Sequence, residues 1–225
     1  PAQTAFNAGE LSPLLAGRTD LAKYGSGASV LENWLPTVQG PARKRPGLRV
    51  VAQGIKPSAK SWLKRFEFSY TQSYVLEFAD AHLGFLTDRA RLVTSLTISG
   101  IANNGSGNCR ITVSSNRGLA TGVTVTIAGV SGTPTVNGAR TITRVSATAF
   151  DVSVNYGGQT GGTVTAPYAL DTPYTTATLA NADGTCALST AQTGDVVYLA
   201  AGGTTPRKLS RLGATNWTLA AIDIK

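Results

Sequence analysis

The sequence predicts a mainly β protein: antiparallel meander sheets, propeller-like in layout, with an extended Gly/Pro-rich N-terminal arm and an inserted small β-barrel or sandwich module. Three observations carry this. Gly is abundant at 25 residues and only 14% of positions are charged, while Thr, Ser, Val and Ala dominate the second half, a composition suited to short strands joined by tight turns. From residue 61 onward apolar and polar positions alternate repeatedly. The first 60 residues show little periodicity and are punctuated by Gly9, Pro13, Gly17, Gly25, Gly27, Pro36, Gly40, Pro41, Pro46 and Gly47.

Within residues 1–60, Asp20 is an N-cap candidate for a short helix reaching Tyr24, and a second turn is expected from Ser26 or Ser29 to Asn33. Neither is long enough to build a core, so the segment is expected to wrap over a neighbouring sheet or subunit. Residues 61–92 read differently: "SWLKRFEFSY", "QSYVLEF" and "AHLGFLTD" each alternate, placing Phe66 and Phe68 on one face. The turns of this antiparallel meander fall near Thr71–Ser73 and Asp80–Ala81. Its buried area comes from Phe66, Tyr74, Phe78 and Phe85, each worth roughly 1.5–3 kcal/mol when fully buried. Residues 93–166 are almost pure Thr/Val/Ile alternation, with Asn104-Gly105 and Asn137-Gly138 as hairpin turns. They predict a module of five to seven short strands. Residues 167–225 return to hairpin-like strands containing Pro206 and Trp217, which could share the sheet system of the first part. The expected division is therefore 1–92, 93–166 and 167–225. Because "WTLAAIDIK" breaks off in an alternating strand, further chain past Lys225 or a partner is expected to continue that sheet.

Little in the chain points to catalysis. A nucleophile–base–acid arrangement needs a histidine, and the single one, His82, sits beside Asp80 in a turn without a G-x-S-x-G elbow, reading as a surface residue of a hairpin. One His, two separated cysteines and scattered acids supply no metal-ligand spacing. "GIANNGSG" lacks the Lys-Ser/Thr ending of a phosphate loop, so a turn explains it better. Cys109 and Cys186 fall in different β units with no framework spacing, which argues against a disulfide. No apolar run is long enough to span a membrane, and no secretory signal opens the chain. The expectation is a non-enzymatic protein without cofactor or metal, made in a reducing cytoplasm.

Formal net charge is +8, of which about +5 lies in residues 1–92. The concentration that stands out is Arg43, Lys44, Arg45 and Arg49, near Trp34. Three roles suit it: a solvated loop paired with Glu32 or Asp20, a contact to DNA phosphates, or a subunit boundary where Arg forks meet carboxylates or backbone. The DNA role is weakened by the lack of a neighbouring aromatic stack. Trp34 reads either as a core aromatic or as an interface anchor.

The order of residues then adds a resemblance. "FNAGELSPLLAGRTDLAKYGSGASVLENWLPTVQGPARKRPGLRVVA" resembles the N-terminal signature of the tail nozzle proteins of short-tailed bacteriophages, also called tail tubular protein B or stabilisation proteins. The matching residues are Gly9-Glu10-Leu11-Ser12-Pro13, Arg18-x-Asp20, Tyr24, Leu31-x-Asn33, Gly40-Pro41 and Arg45-Pro46-Gly47. It continues through 61–88 and resumes at Thr172-Pro173-Tyr174, Asp195-Val196-Val197-Tyr198 and Pro206-x-x-Leu209-x-Arg211. Residues 95–165 look like an inserted FCCH-type β module, named for a domain of ubiquitin-activating enzymes.

The resemblance implies a structural virion protein located in the tail: a nozzle or collar ring, six copies in the family, below the head–tail adaptor, through which DNA is ejected. Its implied partners are further copies of itself, the tail adaptor protein and, transiently and without sequence specificity, genomic DNA. Family members are several times longer than this chain. Arg43, Lys44, Arg45 and Arg49 would then sit at a subunit interface or the DNA lumen, with Tyr24, Asn33 and Trp34 anchoring the arm. A different class, a host-surface glycan-binding tail module, would use Tyr156 and Trp217 as its stacking aromatics.

Overall fold

The computed structural model describes residues 3–115 and 118–223. It is mainly β and its sheets are almost wholly antiparallel, as expected. Contacts divide the chain into two compact units, Pro1–Val50 and Val51–Lys225.

In the first unit β1 (Gly9–Glu10) pairs in parallel with β2 (Gly27–Ala28), and β3 (Trp34–Pro36) pairs antiparallel with β4 (Ala42–Lys44). The helix expected from Asp20 to Tyr24 is not formed, and the turn expected to reach Asn33 is confined to Glu32 and Asn33. Single 3-10 turns occur instead at Pro13–Leu15 and Tyr24–Ser26. Ser12 starts the first by accepting a hydrogen bond from the Leu14 amide at 3.3 Å, with Pro13 presetting φ at the first position. Asp20 instead accepts from Arg18 through both its oxygens, at 2.8 and 2.7 Å. Gly27 turns extended and ends the second turn. Among the described residues of this unit only Gly40 is buried.

The second unit opens with the expected meander, β5 (Ser61–Glu67), β6 (Ser73–Ala79) and β7 (His82–Thr87), with β8 (Ala90–Arg91) folded back on β7. Its two turns fall where the alternation breaks. Phe66, Tyr74, Phe78 and Phe85 are all buried. Phe68 follows the end of β5 and is exposed, with the Arg211 guanidinium 3.8 Å from its ring and also over Tyr74, which pairs with Phe66.

Six strands then close into a barrel: β9 (Val93–Asn103), β10 (Asn108–Val113), β11 (Thr124–Ala128), β12 (Gly138–Arg144), β13 (Ala149–Asn155) and β14 (Thr163–Pro167). Alternation points Ile111, Val125, Ile127, Ile142, Phe150 and Val164 inward, into one apolar cluster. The β9–β10 hairpin turns at the expected Asn104-Gly105, where the Asn103 and Asn104 carboxamide oxygens accept four backbone amides. Asn137-Gly138 is not a hairpin turn. β11 and β12 are joined by residues 129–137, and Asn137 closes that loop by bonding both the amide and the carbonyl of Val130.

After the barrel, β15 (Ala169–Asp171) adds to the free edge of β7. A one-turn helix, α1 (Thr176–Leu179), leads to a four-stranded meander of β16 (Ser189–Thr193), β17 (Val196–Ala200), β18 (Arg207–Gly213) and β19 (Asn216–Ala221). The two meanders share one core. Trp217 meets Phe66 and Phe85 at 4.8 Å and Tyr74 at 5.3 Å between ring centres, and its backbone amide donates to the Tyr168 hydroxyl at 2.9 Å.

Two polar clusters hold this unit together. Glu77, only 3% exposed, accepts from the Ile55 amide, Ser61 Oγ and Arg91 Nη2, and Arg91 also donates to the Gln53 carbonyl. His82 is not the exposed hairpin residue the sequence suggested. It is 7% exposed, with Nδ1 2.7 Å from the Gly118 carbonyl oxygen and 3.6 Å from Asp171, whose carboxylate takes both Nη groups of Arg144 on the barrel strand β12. Burial lowers the His82 pKa, and the Arg144 guanidinium holds Asp171 below the usual carboxylate range.

Candidate functional site

The seven residues that the resemblance singles out all lie in the first unit. Tyr24 opens a 3-10 turn and its hydroxyl accepts from the Gly17 amide at 3.0 Å, closing a loop around a hollow of about 710 Å³ lined by Leu11, Pro13, Leu15, Thr19 and Gly25. Five others, Asn33, Trp34, Arg43, Lys44 and Arg45, gather at one ribbon, and Arg49 follows it in irregular chain.

The ribbon is built by Pro and Gly. Pro36 and Pro41 restrict the chain on either side of a turn in which the Thr37 amide and hydroxyl both donate to the Pro41 carbonyl and Gly40, at φ 110°, donates back to Thr37. Register pairs Trp34 with Lys44 and Leu35 with Arg43. Directly opposed residues share a face, and neighbours along a strand alternate, so Trp34 and Lys44 stand on one side and Leu35 and Arg43 on the other. At the base Asn33 takes a left-handed φ of 63° and holds Arg45 twice: its backbone carbonyl accepts the Arg45 amide at 2.9 Å, and its Oδ1 accepts Arg45 Nε at 2.7 Å. Asn33, Lys44, Arg45, Pro46 and Gly47 surround a hollow of about 480 Å³.

Trp34 is not a core residue, since 49% of it is exposed. Arg43, Lys44 and Arg49 are exposed and make no ion pair among the described residues. The pairing with Glu32 or Asp20 that one of the three roles called for is not formed: Asp20 pairs with Arg18, and Glu32 makes no ion pair among the described residues. Residues 33–50 contain no acid at all. The result is a thin two-stranded ribbon with cations on both faces, an exposed indole and no internal counter-charge.

No family model and no curated protein matches the chain.

The site therefore rests on its own geometry. Among the described residues no group of three His, Cys, Asp or Glu gathers around a point that could hold a metal, and no helix is long and apolar enough to cross a membrane. Cys109 and Cys186 are both free thiols; Cys109 is buried in the barrel, where desolvation raises its pKa. The sequence placed Trp34 near the basic run but not its pairing directly across from Lys44, because that register depends on where the chain folds back. The signal was present in the two prolines bracketing a Gly, which fold the segment back on itself.

Proposed function

We propose that this chain is a structural protein of the tail of a short-tailed bacteriophage, contributing to a sixfold nozzle or collar ring below the head–tail adaptor. The observation that supports it is the first unit. It combines the tail-nozzle-like signature with a surface that buries one glycine and leaves Leu14, Val38, Leu48 and Val50 between 87% and 91% exposed. A segment this size without an apolar core gains too little burial to offset the entropy of ordering it. A neighbouring subunit would supply what is missing. Repetition of two different patches around an axis closes a ring.

Electron microscopy of the purified chain and of intact particles tests this. Sixfold rings at the tail are the expected result, lost when residues 1–50 are deleted while the remaining unit keeps its β circular dichroism. A monomer absent from the tail overturns it.

The glycan-binding alternative loses one of its two aromatics. Trp217 is 2% exposed and wedged among Phe66, Tyr74 and Phe85, which leaves Tyr156, 38% exposed, alone.

A further inference from the structure

We propose that the ribbon from Asn33 to Arg45 is a seat for duplex DNA, gripping the phosphate backbones on either side of a groove without reading bases. The inference rests on the tail reading for the presence of DNA, but its geometry stands independently. Three features carry it. First, the cations are unspent: Arg43 and Lys44 on the ribbon and Arg45 at its base are exposed and make no ion pair among the described residues, so approaching phosphates replace only water and counterions. Second, the pairing register puts Lys44 and Arg43 on opposite faces. A single strand or a flat acidic surface engages one face; a groove with a phosphate wall on each side engages both. Third, the dimensions agree. Five paired positions, from Asn33–Arg45 to Thr37–Pro41, make a ribbon roughly 16 Å long, and a major groove about 12 Å wide admits a two-stranded ribbon.

Asn33 and Arg45 have a positioning part here. Their double hydrogen bond fixes the base of the ribbon and the direction of Arg45, whose charge a neutral carboxamide leaves intact, so Arg45 joins Arg43 and Lys44 as a cation for the ligand. Trp34, beside Lys44, offers an apolar contact to a sugar or base edge. Contacts to phosphate carry no sequence information, so a duplex of mixed sequence is expected to bind.

The test is fluorescence anisotropy of the full chain with a labelled mixed-sequence duplex of about 30 base pairs, across about 50–200 mM salt. Three phosphate contacts give a log–log salt slope near −3. Arg43→Glu plus Lys44→Glu should weaken binding about tenfold or more and flatten the slope by about 2, and Arg43→Gln plus Lys44→Gln should do so less strongly. Arg89→Glu plus Lys208→Glu, an equal charge change on exposed residues outside the ribbon, should bind as the parent does. Circular dichroism of each variant confirms folding. Equal losses in the control pair, parent-like binding by both ribbon pairs, or tighter binding of an oligothymidylate single strand would each overturn the proposal. Ring formation, followed by sedimentation without DNA, keeps the two readings apart: rings with no duplex binding sink this one alone, and duplex binding without rings sinks only the ring.

Discussion

Asn33 holds Arg45 through two hydrogen bonds, one from the Arg45 amide to its carbonyl and one from Nε to its Oδ1 at 2.7 Å, while itself sitting in the left-handed region at φ 63°. Asn tolerates that region better than most residues, and an alanine there costs about 1–2 kcal/mol in backbone energy alone. Asn33→Ala should therefore fray the ribbon, seen as faster hydrogen exchange at Arg45. Asn33→Gly keeps the backbone and loses only the side-chain acceptor, so exchange should fall between alanine and the parent. Equal exchange in all three would mean the pair does not hold the ribbon.

Trp34 is 49% exposed whereas Trp62 and Trp217 are 7% and 2% exposed. Acrylamide should quench one component of the tryptophan emission, the red-shifted one, and Trp34→Phe should remove it. Persistence of the quenchable component in that variant would place the accessible indole elsewhere.

Removing Glu77 strands a buried cation, because Arg91 is left with the Gln53 carbonyl alone. Glu77→Ala should cost about 3–5 kcal/mol in urea unfolding. In a double-mutant cycle with Arg91→Ala the two losses should fall short of additive by about 0.5–3 kcal/mol. Strict additivity would deny the clasp.

Acidification should loosen the contact between the barrel and the meander in two steps. Burial lowers the folded pKa of His82, so the fold favours the neutral imidazole. Its stabilisation is complete above the unfolded value near 6.5 and is lost as pH falls below that toward the folded pKa. Asp171, held low by Arg144, contributes above the ordinary carboxylate value near 3.9 and loses its contribution below it. His82→Gln should flatten the first step and leave the second. A melting temperature independent of pH between about 7 and 5 in the parent would contradict the assignment.

Trp217→Ala should cost about 3–5 kcal/mol and unfold both meanders together, since one cluster of Phe66, Tyr74, Phe85 and Trp217 joins them. Separate transitions for the two sheets, resolved by calorimetry, would show that they are independent.

Much of the fold was legible because a strand's period of two is a local property. Alternation in "SWLKRFEF" and "QSYVLEF" located β5 and β6, and Gly-punctuated Thr/Val/Ile runs foretold a module of five to seven strands, of which six form the barrel. The local rule failed where a residue's partner is distant in sequence. Asp20 had the right type to cap a helix, but its carboxylate pairs with Arg18 and the helix does not form. His82 resembled a surface turn residue until Gly118 and Asp171 closed over it. Asn137 resembled a hairpin residue until its carboxamide bridged Val130.

By itself the sequence determined the strand content, the aromatic core of the first meander and the basic run of residues 43–49. These follow from residue type and spacing within a few positions. Only the tertiary structure decided that the six strands close into a barrel, that Trp217 completes a core begun at Phe66, and that Trp34 stands across from Lys44 with Arg43 on the opposite face. Each depends on pairing register, and register comes from which distant surfaces bury one another, information that is spread over the whole chain and carried by no single stretch of it.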